Sequence, residues 1–163
     1  MLTKIIFFTN ILLMSQIISC ETASVNALDQ ISGDWKLTKI FLSDAYDSPC
    51  GWETGQHRDI TLNIKQENDK FTFSGQSTVN MYNGSFKATG DTTLEIVMGG
   101  VASTKMAGPE NLMNCEMRYF NFLNDAKELQ INNEGQLLIG NFKKPDGHPR
   151  DGGTYLVFEK AKK

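Results

Sequence analysis

Apolar and polar residues alternate through much of the middle of the chain. The alternation is clearest at residues 59–65 and returns, after a polar turn, at residues 71–74. The positions on the apolar face are all aliphatic or aromatic: Ile60, Leu62, Ile64, Phe71 and Phe73. A period of two residues is typical of a β-strand with one buried face, so this region predicts an antiparallel hairpin.

Further strands are predicted on both sides of this hairpin, at residues 35–42, 85–88, 93–98, 128–132, 136–141 and 154–160. The first of them alternates imperfectly, because Trp35 and Leu37 share one parity while Ile40 has the other. A β-bulge, or burial of both faces at the end of the strand, would reconcile the two. Gly99 and Gly100 predict the end of one strand. Polar or glycine-rich stretches predict loops at residues 43–58, 75–84 and 143–153.

One segment, residues 109–124, has the period of a helix instead. Pro109 suits a first helical turn, and Glu110 complements the positive end of the helix dipole. The residues that share its predicted inward face are Leu112, Met113, Glu116, Met117, Phe120 and Leu123. This pattern predicts the methionines as core residues and places Glu116 at the edge of the buried face.

Together these elements predict an α+β fold in a single domain. We expect about eight short strands in a strongly curved antiparallel sheet or small β-barrel, because closure removes bare strand edges. The helix is expected to pack across one opening of this sheet.

The first residues of the chain are typical of a targeting signal. A short basic start precedes a mostly apolar run, residues 5–18, which is shorter than a membrane span. The run ends Ile-Ile-Ser-Cys, which resembles the lipobox of bacterial lipoproteins, where the thiol of Cys20 would be acylated. We predict a lipoprotein signal peptide at residues 1–19, a tether at 20–30 and a folded domain at 31–163. An ordinary secretory signal or an uncleaved anchor are the alternatives.

Charge and motif content argue against several functions. A net charge of -3 is too small to favour nucleic acid. His57 and His148 are the only histidines, and each lies in a polar loop with no ligand spacing around it, so no metal site is predicted. No nucleophile motif and no phosphate-binding loop is present, and we predict no catalytic residue and no cofactor.

Three motifs follow one another along the chain: Gly-Asp-Trp-Lys-Leu at residues 33–37, a loop at residues 75–84 with Asn80 and Gly84, and Thr-Lys-Met-Ala at residues 104–107 ahead of the helix. Their order resembles the META domain of the bacterial HslJ-type heat-shock lipoproteins. That family has an opening tryptophan strand, then Gly-x-x-Gly-Cys-Asn-x-x-x-Gly, then Thr-x-Met-Ala-Cys and a helix with a glutamate. The positions that match here are Trp35, Asn80, Gly84, Thr104, Met106 and Glu116. The resemblance implies structural roles: the Asn80 amide ties loop backbone groups, Gly84 permits a positive φ, and Met106 fills the core beneath.

Cysteine usage departs from that pattern. Thr78 replaces the second loop glycine, and Val79 and Gly108 replace the two family cysteines, as expected if those act as a pair or as one site. Cys50 and Cys115 remain, and in an exported protein they predict a disulfide between the first long loop and the helix. The alternative is a buried thiol at Cys115 and an exposed free one at Cys50.

The resemblance implies a non-enzymatic envelope lipoprotein with a role in stress or antibiotic tolerance. It would be held on the membrane by the lipid on Cys20, in the outer membrane facing the periplasm, and would bind an envelope protein or cell-wall component. A lipocalin-like carrier of a small apolar ligand is the main alternative, because Gly33 and Trp35 resemble the lipocalin opening. A lined cavity would support it, and a well-packed interior would argue against it. An enzyme, or an inhibitor that acts through residues 143–153, is a third hypothesis.

Overall fold

A computed structural model describes residues 27–50, 58–90, 93–143, 147–148 and 150–162. The predicted signal peptide and the predicted lipid attachment site, Cys20, lie outside the described residues, as does His57. Within the described ranges, no helix is both long and apolar enough to cross a membrane.

Two helices and nine strands form in these described ranges. In chain order they are α1 (Ala27–Ile31), β1 (Gly33–Leu42), β2 (Ala45–Asp47), β3 (Thr61–Glu67), β4 (Lys70–Gln76), β5 (Met81–Thr89), β6 (Thr93–Ser103), α2 (Glu110–Asn124), β7 (Glu128–Ile131), β8 (Leu137–Phe142) and β9 (Gly153–Lys160). Every predicted strand is present, and the predicted loop at residues 43–58 also contains the short β2.

The sheet closes on itself. Its order is β2-β1-β3-β4-β5-β6-β7-β8-β9, with a further pairing of β1 and β9, and all neighbours are antiparallel. One edge of β1 pairs with β9, while the other pairs first with β3 and then with β2. In the described part of the chain, all strands except β2 therefore form a ring, which confirms the predicted α+β fold with a curved antiparallel sheet.

One of the two explanations for the first strand, a bulge, is present in β1. The register with β9 shifts between Leu37 and Lys39. Trp35 and Leu37 point inward before the shift and Ile40 points inward after it, and all three are buried. The extra residue thus changes the parity of the inward face, which lets Phe41 turn outward, where it stacks on Tyr155 and meets Tyr46 edge-on.

The predicted loop at residues 75–84 is shorter than expected, because only residues 77–80 lie outside strands. Similarly, β6 does not end at Gly99 and Gly100 but continues to Ser103. The register between β5 and β6 shifts at this point, and Gly100 has a φ of 93°. The glycines therefore form a bulge that lets the strand continue.

Two other glycines serve close packing. A Cβ on Gly75 would lie 2.0 Å from the carbonyl oxygen of Thr61, and one on Gly84 would lie 2.4 Å from the ring of Phe73. The positive φ expected at Gly84 is not found. Gly84 is needed because a neighbouring ring occupies the space that a side chain would fill.

The helix α2 fills an opening in the ring. β7 pairs only with residues 93–95 of β6, although β6 continues to Ser103. The helix contacts β6, β8 and β9, so it covers the side that the short β7 leaves open. Its position agrees with the prediction that one helix packs across an opening of the sheet.

The bounds of α2 agree with the prediction, but its inward face does not. The buried residues are Cys115, Glu116, Tyr119 and Leu123. Met113 and Met117, which were predicted in the core, are 42% and 58% exposed. The prediction assumed that the face with the most apolar side chains is buried. Instead, Glu116 lies at the centre of the buried face, because hydrogen-bond donors surround its carboxylate there.

The predicted disulfide is present between Cys50 and Cys115, whose Cα atoms lie 4.8 Å apart. The sequence separation is 65 residues, and the chain-entropy model gives such a cross-link up to about 4 kcal/mol of stability. Nearby, a guanidinium nitrogen of Arg118 lies 2.6 Å from a carboxylate oxygen of Asp47. The segment containing β2 is thus attached to α2 by one covalent bond and one ion pair.

The short α1 covers the last residues of the predicted tether and is attached to the ring. The indole of Trp35 donates a hydrogen bond to the Ile31 carbonyl at 2.8 Å. The ammonium of Lys160 lies 3.9 Å from the centre of the Trp35 ring and donates to the Ser32 carbonyl at 3.0 Å. Partial burial lowers the pKa of Lys160, while Asp34 opposes this shift. These contacts fix the point at which the chain enters β1.

A buried pair of tyrosines connects the helix to the sheet. The hydroxyl of Tyr82 donates to the Thr61 carbonyl at 2.6 Å and lies 2.6 Å from the hydroxyl of Tyr119. Since the single proton of Tyr82 goes to Thr61, Tyr119 is the donor in the second bond. Burial raises the pKa of both tyrosines above the ordinary value of 10.0.

We expect Tyr119→Phe to lower the free energy of unfolding by about 1 kcal/mol at neutral pH, because it removes one buried hydrogen bond. The pKa of Tyr119 is higher in the folded protein than in the unfolded chain. The contribution of its hydroxyl to the free energy of unfolding is therefore complete below about pH 10 and is lost as the pH rises. Urea unfolding at neutral pH and at about pH 11 should show the advantage of the wild-type protein shrinking by roughly 1.4 kcal/mol per unit above pH 10, so that it has vanished or reversed by about pH 11. A pH-independent difference would contradict the assignment.

Candidate functional site

The connection at residues 77–80 meets the segment after β6 at one buried amide. The side-chain oxygen of Asn80 accepts hydrogen bonds from the Thr104 hydroxyl and the Met106 backbone N–H, each at 2.7 Å. Its side-chain nitrogen donates to a Glu116 carboxylate oxygen at 2.7 Å and to the Met106 carbonyl at 3.3 Å. Every polar atom of this amide is therefore satisfied, and one residue holds three segments together.

The carboxylate of Glu116 is the second half of the site, and only 8% of the residue is exposed. It accepts from the side-chain amide of Asn80, from the backbone N–H of Asn80 at 2.7 Å, and from the hydroxyl of Ser77. Among the described residues, no lysine or arginine forms an ion pair with it. Burial of a carboxylate is costly unless donors surround it, so these N–H and O–H groups are what allow Glu116 to face inward.

Two further bonds shape the 77–80 connection. The hydroxyl of Thr78 donates to the Leu112 carbonyl at 2.7 Å, in the first turns of α2. The backbone N–H of Ser77 donates to the Asn80 carbonyl at 2.8 Å, which closes the turn. Sequence reasoning missed the roles of Ser77 and Thr78, although a run of polar residues next to Asn80 was the available signal.

Val79 and Gly108 contact each other. A Cβ built on Gly108 would lie 3.6 Å from the Cβ of Val79 and 2.9 Å from one of its methyl groups. Val79 is 8% exposed. The resemblance places a cysteine at each of these two positions. Both cysteines are replaced together for a steric reason, because Val79 fills the space next to Gly108, which has no side chain.

Comparison with known proteins identifies the family. The sequence profile of the META domain matches residues 27–162, which is most of the chain. The chain belongs to the META domain family. A solved NMR structure of a protein from Burkholderia xenovorans is similar, with a TM-score of 0.53 and 18% identity over 84% of this chain and 87% of that one, and this likeness concerns the fold alone. No curated protein matches the chain.

The family positions of this META domain divide into two groups. Asn80, Thr104, Met106 and Glu116 come together in the site. Trp35 lies elsewhere, in the core beside α1, and Gly84 lies under a phenylalanine ring of the sheet. Within the described residues, no group of histidine, cysteine and acidic side chains is arranged to hold a metal ion.

Met106 does not have the role that the resemblance implied. Its side chain is 54% exposed, and only its backbone binds Asn80. Three other methionines around the site are also exposed: Met81 by 63%, Met113 by 42% and Met117 by 58%. Met81 follows Asn80 directly, and the sulfur of Met113 lies 3.4 Å from the backbone nitrogen of Gly108. We call Met81, Met106, Met113 and Met117 the methionine surface.

A small cavity lies between described side chains in the interior of the ring. The cavity at its centre measures about 10 Å³ and is lined by Leu62, Ile64, Phe73, Phe86, Ile96, Met98, Leu123, Leu129 and Ile139. A water molecule needs about that much room, and small-molecule pockets measure several hundred Å³. A packed interior argues against the lipocalin-like carrier.

We expect Glu116→Gln to destabilise the domain by about 1–3 kcal/mol. The amide keeps the size of the side chain but turns one acceptor into a donor that faces the donors of Asn80 and Ser77. The matched control is Glu110→Gln, an exposed carboxylate in the first turn of the same helix, which should change stability by less than about 1 kcal/mol. Urea unfolding of both variants gives the two changes in the free energy of unfolding. Equal changes would show that the buried carboxylate of Glu116 contributes no more to stability than the exposed one of Glu110.

We also expect the double variant Val79→Cys/Gly108→Cys to form a second disulfide. The Cβ separation of 3.6 Å falls within the range of natural disulfides. Mass spectrometry of peptides digested without reductant should find this bond together with the one between Cys50 and Cys115, while Gly108→Cys alone should keep a free thiol. Two free thiols in the double variant would show that the segments are not held in contact.

Proposed function

We propose that this META domain is a non-enzymatic, lipid-anchored envelope protein that binds a protein partner through the methionine surface. The exposure of that surface is the observation that supports the proposal. The segments that carry these four exposed side chains are tied together by the hydrogen bonds of Asn80 and Glu116, and exposed apolar side chains in one region mark interaction sites. Methionine is flexible and polarisable, and it is common on surfaces that adapt to several partners.

The polar groups beneath the surface support a binding role over catalysis. The amide of Asn80 and the carboxylate of Glu116 use their donors and acceptors on each other and on neighbouring backbone groups. Such a fully connected network rigidifies the protein around it. It holds the segments that carry the methionines in one arrangement, so the surface is organised before a partner binds and less entropy is lost on binding.

The point at which the chain enters β1 and one part of the methionine surface lie on the same side of the domain. Lys36, near the start of β1, pairs with Thr61, and Met81 lines one surface pocket with Asp34 and Trp35. With the predicted lipid on Cys20, the domain would be held at the membrane, and it would face the periplasm if the anchor lies in the outer membrane. A stress or antibiotic-tolerance role would then depend on the partner.

The test is capture of partners from envelope extract with the full-length lipidated protein in detergent, followed by mass spectrometry of proteins and lipids. The double variant Met106→Glu/Met113→Glu should lose the partner, because a charged side chain cannot be desolvated cheaply at an apolar contact. Val97→Glu is the matched control, since Val97 is 73% exposed but lies on β6, apart from the methionine surface. Cys20→Ser should move the protein from the membrane fraction to the soluble fraction.

Equal capture by the wild-type protein and the methionine variant would contradict the proposed surface. A co-purifying apolar ligand without a protein partner would favour the carrier hypothesis instead. Retention of the Cys20→Ser protein in the membrane fraction would contradict the lipid anchor and leave the surface to be judged by the capture result alone.

A further inference from the structure

The methionines of the domain fall into two environments. Of the five methionines in the described residues, the four of the methionine surface are 42–63% exposed. The fifth, Met98, is partly buried, packs against the core and lines its small cavity. Access of a dissolved reagent to the sulfur atoms therefore differs within one protein.

The other sulfur atoms and the tryptophan of the described residues are protected from oxidants. Cys50 and Cys115 are already oxidised to a disulfide, and Trp35 is only 1% exposed. Methionine oxidation follows exposure, and its product, the sulfoxide, can be reduced enzymatically. The exposed sulfur atoms thus meet a two-electron oxidant such as hydrogen peroxide or hypochlorous acid first.

We propose that the methionine surface is a reversible oxidation site whose conversion to sulfoxides removes an apolar contact surface without unfolding the domain. In each step a sulfur lone pair attacks an oxygen of hydrogen peroxide. An S–O bond forms and the O–O bond breaks, and the departing hydroxide takes the remaining peroxide proton to give water. The sulfur loses two electrons and the peroxide gains them.

The site geometry explains why the fold survives this change. Met106 takes part in the Asn80 network through its backbone N–H and carbonyl, which oxidation of the side chain leaves intact. Met113 contacts the backbone nitrogen of Gly108 through its sulfur at 3.4 Å, a weak hydrogen bond. The second lone pair of the sulfur remains for reaction. The oxygen that oxidation adds is a better hydrogen-bond acceptor than the thioether sulfur, so the contact with Gly108 can be kept.

The consequence for binding rests on the proposed function. A sulfoxide is polar, so an apolar partner must desolvate it to keep contact. Oxidants in the envelope would release the partner. A dithiol reductase would restore binding, because its two thiols become a disulfide while the sulfoxide oxygen leaves as water and the thioether re-forms. Because the domain stays folded, the change works as a switch and is distinct from oxidative damage.

The experiment treats full-length protein in detergent with increasing hydrogen peroxide or hypochlorous acid. The control is the variant Met81→Leu/Met106→Leu/Met113→Leu/Met117→Leu, which keeps the surface apolar and removes its sulfur atoms. Peptide mass spectrometry follows each methionine, thermal melting follows the fold, and retention on a hydrophobic-interaction column follows the apolarity of the surface.

We expect the four surface methionines to gain oxygen roughly tenfold faster than Met98. Retention on the column should fall for the wild-type protein, with its melting temperature unchanged, and should stay constant for the leucine variant. Oxidation of Met98 at the same rate, loss of the folded state as sulfoxides form, or unchanged retention would each overturn the proposal.

Partner capture before and after oxidation separates this proposal from the proposed function. Failure of the untreated protein to capture any partner counts against the binding function, while the three measurements above still decide whether the oxidation site exists. Capture that persists on fully oxidised protein overturns the switch and leaves the binding function intact.

Discussion

A buried carboxylate is the constraint on which the rest of this site depends. Glu116 faces inward with no cation beside it among the described residues, so its cost must be offset by neutral donors. Those donors come from Ser77 and Asn80, and they reach it only if residues 77–80 form one particular turn. Asn80 in turn orders the segment after β6 through Thr104 and Met106. These hydrogen bonds fix the orientation of α2, which places Met113 and Met117 on its exposed side.

The helix is held by three kinds of interaction on different sides. Hydrogen bonds of Glu116 attach it to the 77–80 connection, the hydroxyl of Tyr119 attaches it to the sheet, and Cys115 and Arg118 attach it to the segment around β2. This arrangement compensates for a ring in which β7 covers only the first part of β6. A short strand and a well-anchored helix together close a barrel that strand pairing alone would leave open.

Alternation of apolar residues predicted the strands well because each strand has one face against the core, as at Ile60, Leu62 and Ile64. It also detected the change of parity in β1 and left two explanations, a bulge or burial of both faces at the strand end; the structure contains the bulge. The same reasoning was wrong for α2, where it treated methionines as core residues and a glutamate as peripheral. Which face a helix buries depends on partners distant in sequence, here a turn 36 residues before Glu116, and no local pattern contains that information.

The hydrogen bonds of Asn80 also bear on the two positions, Val79 and Gly108, where the family cysteines are replaced. Val79 and Gly108 touch at a distance that suits a disulfide, so the family cysteines at these positions would link the 77–80 connection to the 104–109 segment. In this chain Asn80 already links the same two segments by hydrogen bonds, and the disulfide instead attaches α2 to the segment after β2. The segment that carries Met106 is therefore held by hydrogen bonds, which can open and re-form as a covalent bond cannot. The position of that segment thus depends on the buried amide of Asn80, whose donors and acceptors are all satisfied.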